Sequence, residues 1–154
     1  MTNEALKELI VKLAPEATFN ENKQMVVAII PSTQLFSVVK ELKESATTKF
    51  DFLFSLTGVD FNPGLGVVYH LESTELQHVI CLKTSTEDRI NPKLDSITSL
   101  YPAAELQERE VFDLYGVSFN NHPDMRRLFL DDEWIGYPLR KDYVDTVNII
   151  DLIK

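Results

Sequence analysis

The chain has a single cysteine, Cys81, and five glycines and one tryptophan among 154 residues. Its 15 basic residues are outnumbered by 24 acidic ones, a formal charge of −9. A lone cysteine forms no internal disulfide and cannot supply the thiolates of an ordinary iron–sulfur cluster. Its setting, "HVICLK", reads as a strand with a buried thiol. The shortage of positive charge argues against nucleic acid, whose phosphate backbone requires a broad basic surface, and against electrostatic attachment to anionic lipid. No apolar run approaches the ~18–20 residues that span a bilayer. The N-terminus "MTNEALKELIVKL" lacks the basic start, apolar core and cleavage site of a secretory signal. These absences predict a cytoplasmic chain that meets a membrane only through a partner. No G-x-S-x-G, Walker loop or G-x-G-x-x-G is present, and "GLG" at 64–66 is turn chemistry.

What remains is ordinary globular material, 44% hydrophobic and 25% charged, with enough chain for one domain and a real core. "NEALKELIVKL" places Leu6, Leu9, Ile10 and Leu13 at helical spacing, with Asn3 as N-cap and Pro15 as stop. "QMVVAII" reads as a strand buried on both faces. After Pro31, "STQLFSVVKELKE" forms a second amphipathic helix with Leu35, Val38, Val39 and Leu42 on one side. In "KFDFLFSLTGVDF", Phe50, Phe52, Phe54 and Leu56 alternate as on one face of a strand. "NPGLG" turns the chain, "VVYHLES" follows with Val67, Tyr69 and Leu71 on one face, and "HVICLKT" completes an antiparallel meander. A helix is predicted from Pro92 to Tyr101, and another over "AAELQEREVFDLYG" ending at a C′ glycine, Gly116. The prediction is an α+β fold: a small sheet containing an antiparallel meander, packed with helices over residues 1–116, and then an extended C-terminal arm, 117–154, within the same single-domain subunit.

The arm is the anomaly. Arg126, Arg127 and Arg140, three of five arginines, lie in it, interleaved with Met125, Leu128, Phe129, Leu130, Trp134 and Leu139. Long structureless segments in compact domains are usually functional or disordered, and this one is too hydrophobic for disorder. A solvated loop paired with Asp124, Asp131, Asp132, Glu133 and Asp142 is one reading. The other is a docking arm, because exposing so many apolar groups makes a patch that monomers avoid. In that reading a second polypeptide covers the arm and neutralises its guanidinium groups, which bind carboxylates bidentately and favour interfaces.

Glu108, Glu110, Asp113 and His122 are the possible metal or acid–base set. At ~100° per residue Glu108 and Glu110 diverge too far to share a metal, and Arg109 and Asp113 stand at ion-pair spacing. A stand-alone metal-dependent hydrolase using Glu110, Asp113 and His122 is retained as the outside alternative.

"EREVFDLYGVSFNNHPDMRRLFLDDEWIGYPLRKDY" closely resembles the signature of the C-type, or 30-kDa, subunit of bacterial NADH:quinone oxidoreductase, respiratory complex I. The pattern is carried by Glu108, Arg109, Glu110, Asp113, Leu114, Tyr115 and Gly116. It continues in His122, Pro123, Asp124, Arg126 and Arg127, and ends in Gly136, Pro138, Leu139, Arg140, Lys141 and Asp142. "VVYHL" and "DSITSLYPAAELQERE" extend the likeness to about Leu56–Tyr143. One departure stands out, Glu105-Leu106-Gln107 where the family usually has Asn-Trp-aromatic. The resemblance implies a subunit of a multi-subunit translocase without a catalytic centre, cofactor or metal of its own. FMN, iron–sulfur clusters and quinone are expected in partners: a D-type quinone-site subunit, onto which the tail wraps, and B-type and I-type iron–sulfur subunits. Peripheral attachment at the cytoplasmic face of the cell membrane follows. The motif residues named above other than Leu114 and Gly116, with Trp134, are the expected subunit interface. An equivalent subunit of a membrane-bound hydrogenase or a ferredoxin- or F420-linked dehydrogenase is the near alternative.

Overall fold

The computed structural model describes residues 2–145, so the last nine residues of the expected arm, 146–154, lie outside the described residues. Helix α1 (Asn3–Leu13) is capped one residue earlier than expected: the Thr2 hydroxyl accepts the Ala5 N–H at 3.2 Å. Strands β1 (Thr18–Asn20) and β2 (Val26–Ile29) form an antiparallel pair, followed by α2 (Ser32–Glu44). Then come the meander strands β3 (Phe52–Asp60), β4 (Leu65–Ser73) and β5 (His78–Thr86). The sheet order is β1-β2-β5-β4-β3, antiparallel except that β2 lies parallel to β5. The fold is α+β, as expected, with the N-terminal hairpin completing the meander into five strands.

One side of the sheet makes the core. Leu6 and Ile10 of α1, and Leu35, Val38, Val39 and Leu42 of α2, join Val67, Tyr69, Leu71, Ile80 and Leu82 in one buried cluster. Each such side chain contributes ~1.5–3 kcal/mol by leaving water. In β2, Val26, Val27 and Ala28 are buried but Ile29 is partly exposed, which corrects the expectation of burial along both faces.

Two further expectations fail for visible reasons. Phe50, Phe52, Phe54 and Leu56 do not share a face: Phe52 and Phe54 are exposed, whereas Phe50, Leu53 and Leu56 are buried. Leu53 pairs with Leu71 and Ser55 with His70, leaving Phe54 as an extra residue in the ladder. A bulge resets the period-two pattern, so the alternation of the phenylalanines does not mark the core side. The helix expected from Pro92 to Tyr101 is instead strand β6 (Lys93–Asp95) and a single turn closed by Leu100 and Tyr101 N–H groups on the Ile97 carbonyl. Leu94 and Ile97 are both buried, a spacing that strand-plus-turn satisfies as well as helix. Ser96 also accepts the Thr98 N–H, the local competition through which serine and threonine disfavour helix. Strand β6 then pairs in parallel with β7 (Ser118–Asn120).

Helix α3 (Ala104–Tyr115) lies along the edge strand β3. Gly58 permits the close approach, since a Cβ there would overlap the Tyr115 ring. The Gln107 side chain, one of the residues that depart from the family pattern, accepts the Leu56 N–H and so covers part of an otherwise open edge.

Candidate functional site

Helix α3 sorts its charged residues by face. Glu108 and Asp113 are fully buried and Arg109 nearly so, while Glu110 is exposed. The helix ends at Gly116, in the left-handed region (φ +73°), where a Cβ would overlap Tyr137 and Arg140 of the arm. The inward face of α3 and this end are the floor on which the arm lies.

Asp113 is the principal anchor. Its Oδ2 accepts three successive backbone N–H groups, from Leu128 (3.1 Å), Phe129 (2.6 Å) and Leu130 (3.0 Å), and its Oδ1 accepts Nη1 of Arg127 at 2.9 Å. Burial pushes the carboxyl up, but these donors outweigh it and hold it below the usual carboxylate range. The Arg109–Asp113 pair expected from spacing does not form. Arg109 instead donates to the carbonyls of Arg126 (3.2 Å) and Arg127 (2.9 Å). Arg127 also donates Nη2 to the carbonyls of Trp134 and Gly136.

A second clasp holds the far end. Arg140 donates to the carbonyls of Tyr115 and Arg89, with its guanidinium 4.6 Å from the Tyr137 ring centroid. Arg89 bridges Asp60 (2.8 Å) and Asp142 (2.9 Å), and Asp60 also accepts the Lys141 N–H at 2.9 Å. The Arg89 guanidinium therefore holds Asp60 well below its ordinary value. Sequence reasoning missed Asp60 and Arg89. Nothing in "GVDF" or "EDRIN" marks two residues 29 positions apart as partners.

A third contact seats the root of the arm. His122 Nε2 lies 3.0 Å from the Glu105 carbonyl and Nδ1 accepts the Asp124 N–H at 3.0 Å, which fixes the neutral Nε2–H tautomer. Glu108 stands behind it. Its Oε1 accepts the Ile97 N–H at 2.8 Å, and burial raises its carboxyl to about 7.

The guanidinium groups of Arg109 and Arg127 are thus occupied by the chain's own oxygens, Arg126 pairs with Asp124 at 2.9 Å, and Arg140 gives Nε and Nη1 to carbonyls while its buried Nη2 has no hydrogen-bond partner among the described residues. For Arg126 and Arg127 the neutralising carboxylates, Asp124 and Asp113, come from this chain rather than from a second polypeptide. The apolar half of the expectation is different. Phe129 (66% exposed), Ile135 (89%) and Leu139 (50%) point into solvent, and Trp134 and Val144 are also exposed. Pro138 and Tyr143 are half-buried beside them, and Pro123 and Lys141 lie at the surface.

The hydrolase set does not assemble. Asp113 spends its lone pairs on the arm, both His122 nitrogens are committed, and Glu110 faces away. Among the described residues no three His, Cys, Asp or Glu side chains converge as a metal site. Cys81 is buried in β5, which raises its thiol above its ordinary value.

This geometry defines an α+β module whose polar side chains are spent on fixing its own C-terminal arm, with an apolar strip left outward. The sequence profile of the respiratory-chain NADH dehydrogenase 30 Kd subunit matches residues 28–147, and the chain belongs to that family. Among curated relatives it is 40% identical to the C-type subunit of the NADH-quinone oxidoreductase of Moorella thermoacetica, over 86% of this chain and 88% of that one. It is 49% identical over 120 residues to the C/D-type subunit of the NADH-quinone oxidoreductase of Phocaeicola vulgatus, covering 77% of this chain but spanning only 23% of that longer relative. The fold also matches a chain in a solved archaeal respiratory membrane complex, the membrane-bound sulfane sulfur reductase, with a TM-score of 0.78 and 28% identity over 97% of this chain and 89% of that one.

Proposed function

We propose that this chain is the cofactor-free C-type subunit of the peripheral arm of a proton-translocating NADH:quinone oxidoreductase. It supports electron transfer from NADH to quinone by positioning the neighbouring quinone-site (D-type) and iron–sulfur (B-type and I-type) subunits, which with a flavoprotein carry the redox groups. It sits at the cytoplasmic face of the membrane through those partners. No helix among the described residues is long and apolar enough to cross a bilayer, which is compatible with such attachment.

One observation carries the reading. A segment held by three separate clasps on α3 and β3 keeps Phe129, Ile135 and Leu139 in water. Fixing backbone has an entropic cost, and a fixed apolar strip is what a partner can cover at little further cost. In this reading Trp134, Leu139, Arg126, Lys141 and Asp142, with Phe129 and Ile135, meet the partner. Glu108, Arg109, Asp113, Tyr115, His122, Arg127 and Arg140 support them from beneath, and Gly136 and Pro138 shape the loop.

The test uses Phe129→Asp and Ile135→Asp. Both side chains are solvent-facing, so the isolated chain should keep its stability to within ~0.5 kcal/mol while its recovery in the membrane complex falls. Unchanged recovery in both variants sinks the docking strip. The structural match to a sulfane sulfur reductase chain favours a second reading, the same module in a related complex with another electron donor. The 40% and 49% identities to NADH-quinone oxidoreductase subunits weigh toward the first. Mass spectrometry of the complex purified in mild detergent decides between them: flavoprotein NADH-oxidising subunits support the first, nickel-site or sulfur-reducing subunits the second.

A further inference from the structure

Glu108 is a fully buried carboxyl group without a cation partner. Each element packed against it presents neutral or negative groups. The turn after β6 contributes the Ile97 N–H to Oε1, together with the Ser96 hydroxyl. Strand β4 contributes the fully buried Tyr69, whose hydroxyl lies within electrostatic reach of both Glu108 and Asp95 and has no hydrogen-bond partner. On α3 itself, Arg109 is turned to the arm carbonyls and Asp124, and Asp113 is engaged by Arg127. From the turn after β7 comes His122, its Nε2 4.0 Å from Glu108 Oε2. That contact has ion-pair spacing but is not an ion pair, because Nδ1 accepts the Asp124 N–H and Nε2–H is given to the Glu105 carbonyl. Glu108 Oε2 is left without a partner. A carboxylate here would be a buried negative charge beside a neutral imidazole and an unionised phenol, which is strongly disfavoured. The uncharged acid has no such penalty.

We propose that Glu108 is carried as the protonated acid and that its proton is a latch on the root of the arm, released when the group ionises. The device follows from the geometry of His122. A carboxylate is a stronger acceptor than a peptide carbonyl. Once Glu108 loses its proton to solvent, it competes with the Glu105 carbonyl for the His122 Nε2–H. Drawing the ring toward Oε2 removes the donor from Glu105 and pulls Nδ1 from the Asp124 N–H. Those are the hydrogen bonds that seat the 121–124 turn on α3, just before the backbone that Arg109 and Asp113 hold. The burial that raises Glu108 to about 7 puts the change near neutrality. The latch operates within the single chain, whichever complex the chain joins.

The full chain, labelled with carboxyl-13C glutamate, is titrated by NMR from pH 5 to 9, and hydrogen–deuterium exchange is followed over 119–130 and over α1 as reference. One glutamate carboxyl should titrate near neutrality and be absent in Glu108→Gln, which places an uncharged amide at the site. Between pH 6 and pH 8, exchange in 121–130 should rise about tenfold beyond the intrinsic base-catalysed increase in the wild type. It should show only the intrinsic increase in Glu108→Gln, and in both proteins 121–130 should open more readily than α1. Three results overturn the proposal: no glutamate titrates above the ordinary range, protection in 121–130 follows pH identically in the two proteins, or 121–130 is as well protected as α1. If Glu108→Gln does not fold, the wild-type titration and the arm-to-α1 comparison still decide.

Discussion

Replacing Asp113 by asparagine tests whether one carboxylate organises the arm. The change preserves size and shape but leaves a single acceptor oxygen and adds two amide hydrogens. If the oxygen stays toward Leu128, Phe129 and Leu130, the NH2 group meets the Arg127 guanidinium, donor against donor. If the amide flips, the three backbone N–H groups face the NH2 instead. Either way the ion pair goes and buried donors are stranded. Breaking one partner of a buried pair costs about 3–5 kcal/mol, and a hydrogen bond to a charged group about 1.5–3 kcal/mol. Arg127 is partly solvated, so a loss of about 3 kcal/mol is expected for Asp113→Asn, and more for Asp113→Ala. For a chain of this size that lowers Tm by roughly 10 °C. The assay is urea unfolding followed by circular dichroism, with limited trypsin digestion at Arg126 and Arg127 to locate the damage. Cleavage there should accelerate well before global unfolding. A stability change under about 1 kcal/mol, with no new cleavage, would refute the idea that Asp113 holds the arm.

Other expectations follow from the same contacts. The folded chain holds the Glu108 proton up to about 7 instead of an ordinary 4.5. Between those values the folded state binds more protons than the unfolded one, so stability should fall as pH rises, by about 3 kcal/mol in all, and level off above. Asp60 and Asp113, both lowered, work in the opposite sense: their contributions are present above an ordinary carboxyl value and are lost as pH falls below it. Tm measured from pH 3 to 8 should therefore peak in mild acid, and Glu108→Gln should flatten the upper limb only. Gly116→Ala combines a left-handed backbone with overlap on Tyr137 and Arg140, and should cost about 1–3 kcal/mol or more, read by denaturant unfolding. Arg127→Ala and Arg140→Ala should loosen the arm within the isolated chain, visible as faster exchange over 126–140.

Local pattern carried much of this molecule. The helical spacing of Leu6 and Ile10, the four apolar residues of α2, the alternation of Val67, Tyr69 and Leu71 and the C′ role of Gly116 all rest on neighbours within a few residues. One sequence determines them because the backbone period alone selects the buried side. The motif from Glu108 to Asp142 likewise identified the family without coordinates. Long-range pairing was not legible. Only the tertiary structure turned Phe52 and Phe54 outward, because a bulge depends on the partner strand, and made residues 93–95 a strand, because β7 had to arrive beside them. It also decided which carboxylates meet which arginines. Asp113 and Arg109 are well spaced for pairing on one helix, yet Asp113 takes Arg127 and three backbone N–H groups. Burial removes the competition from water and strengthens contacts that only chain folding can bring together.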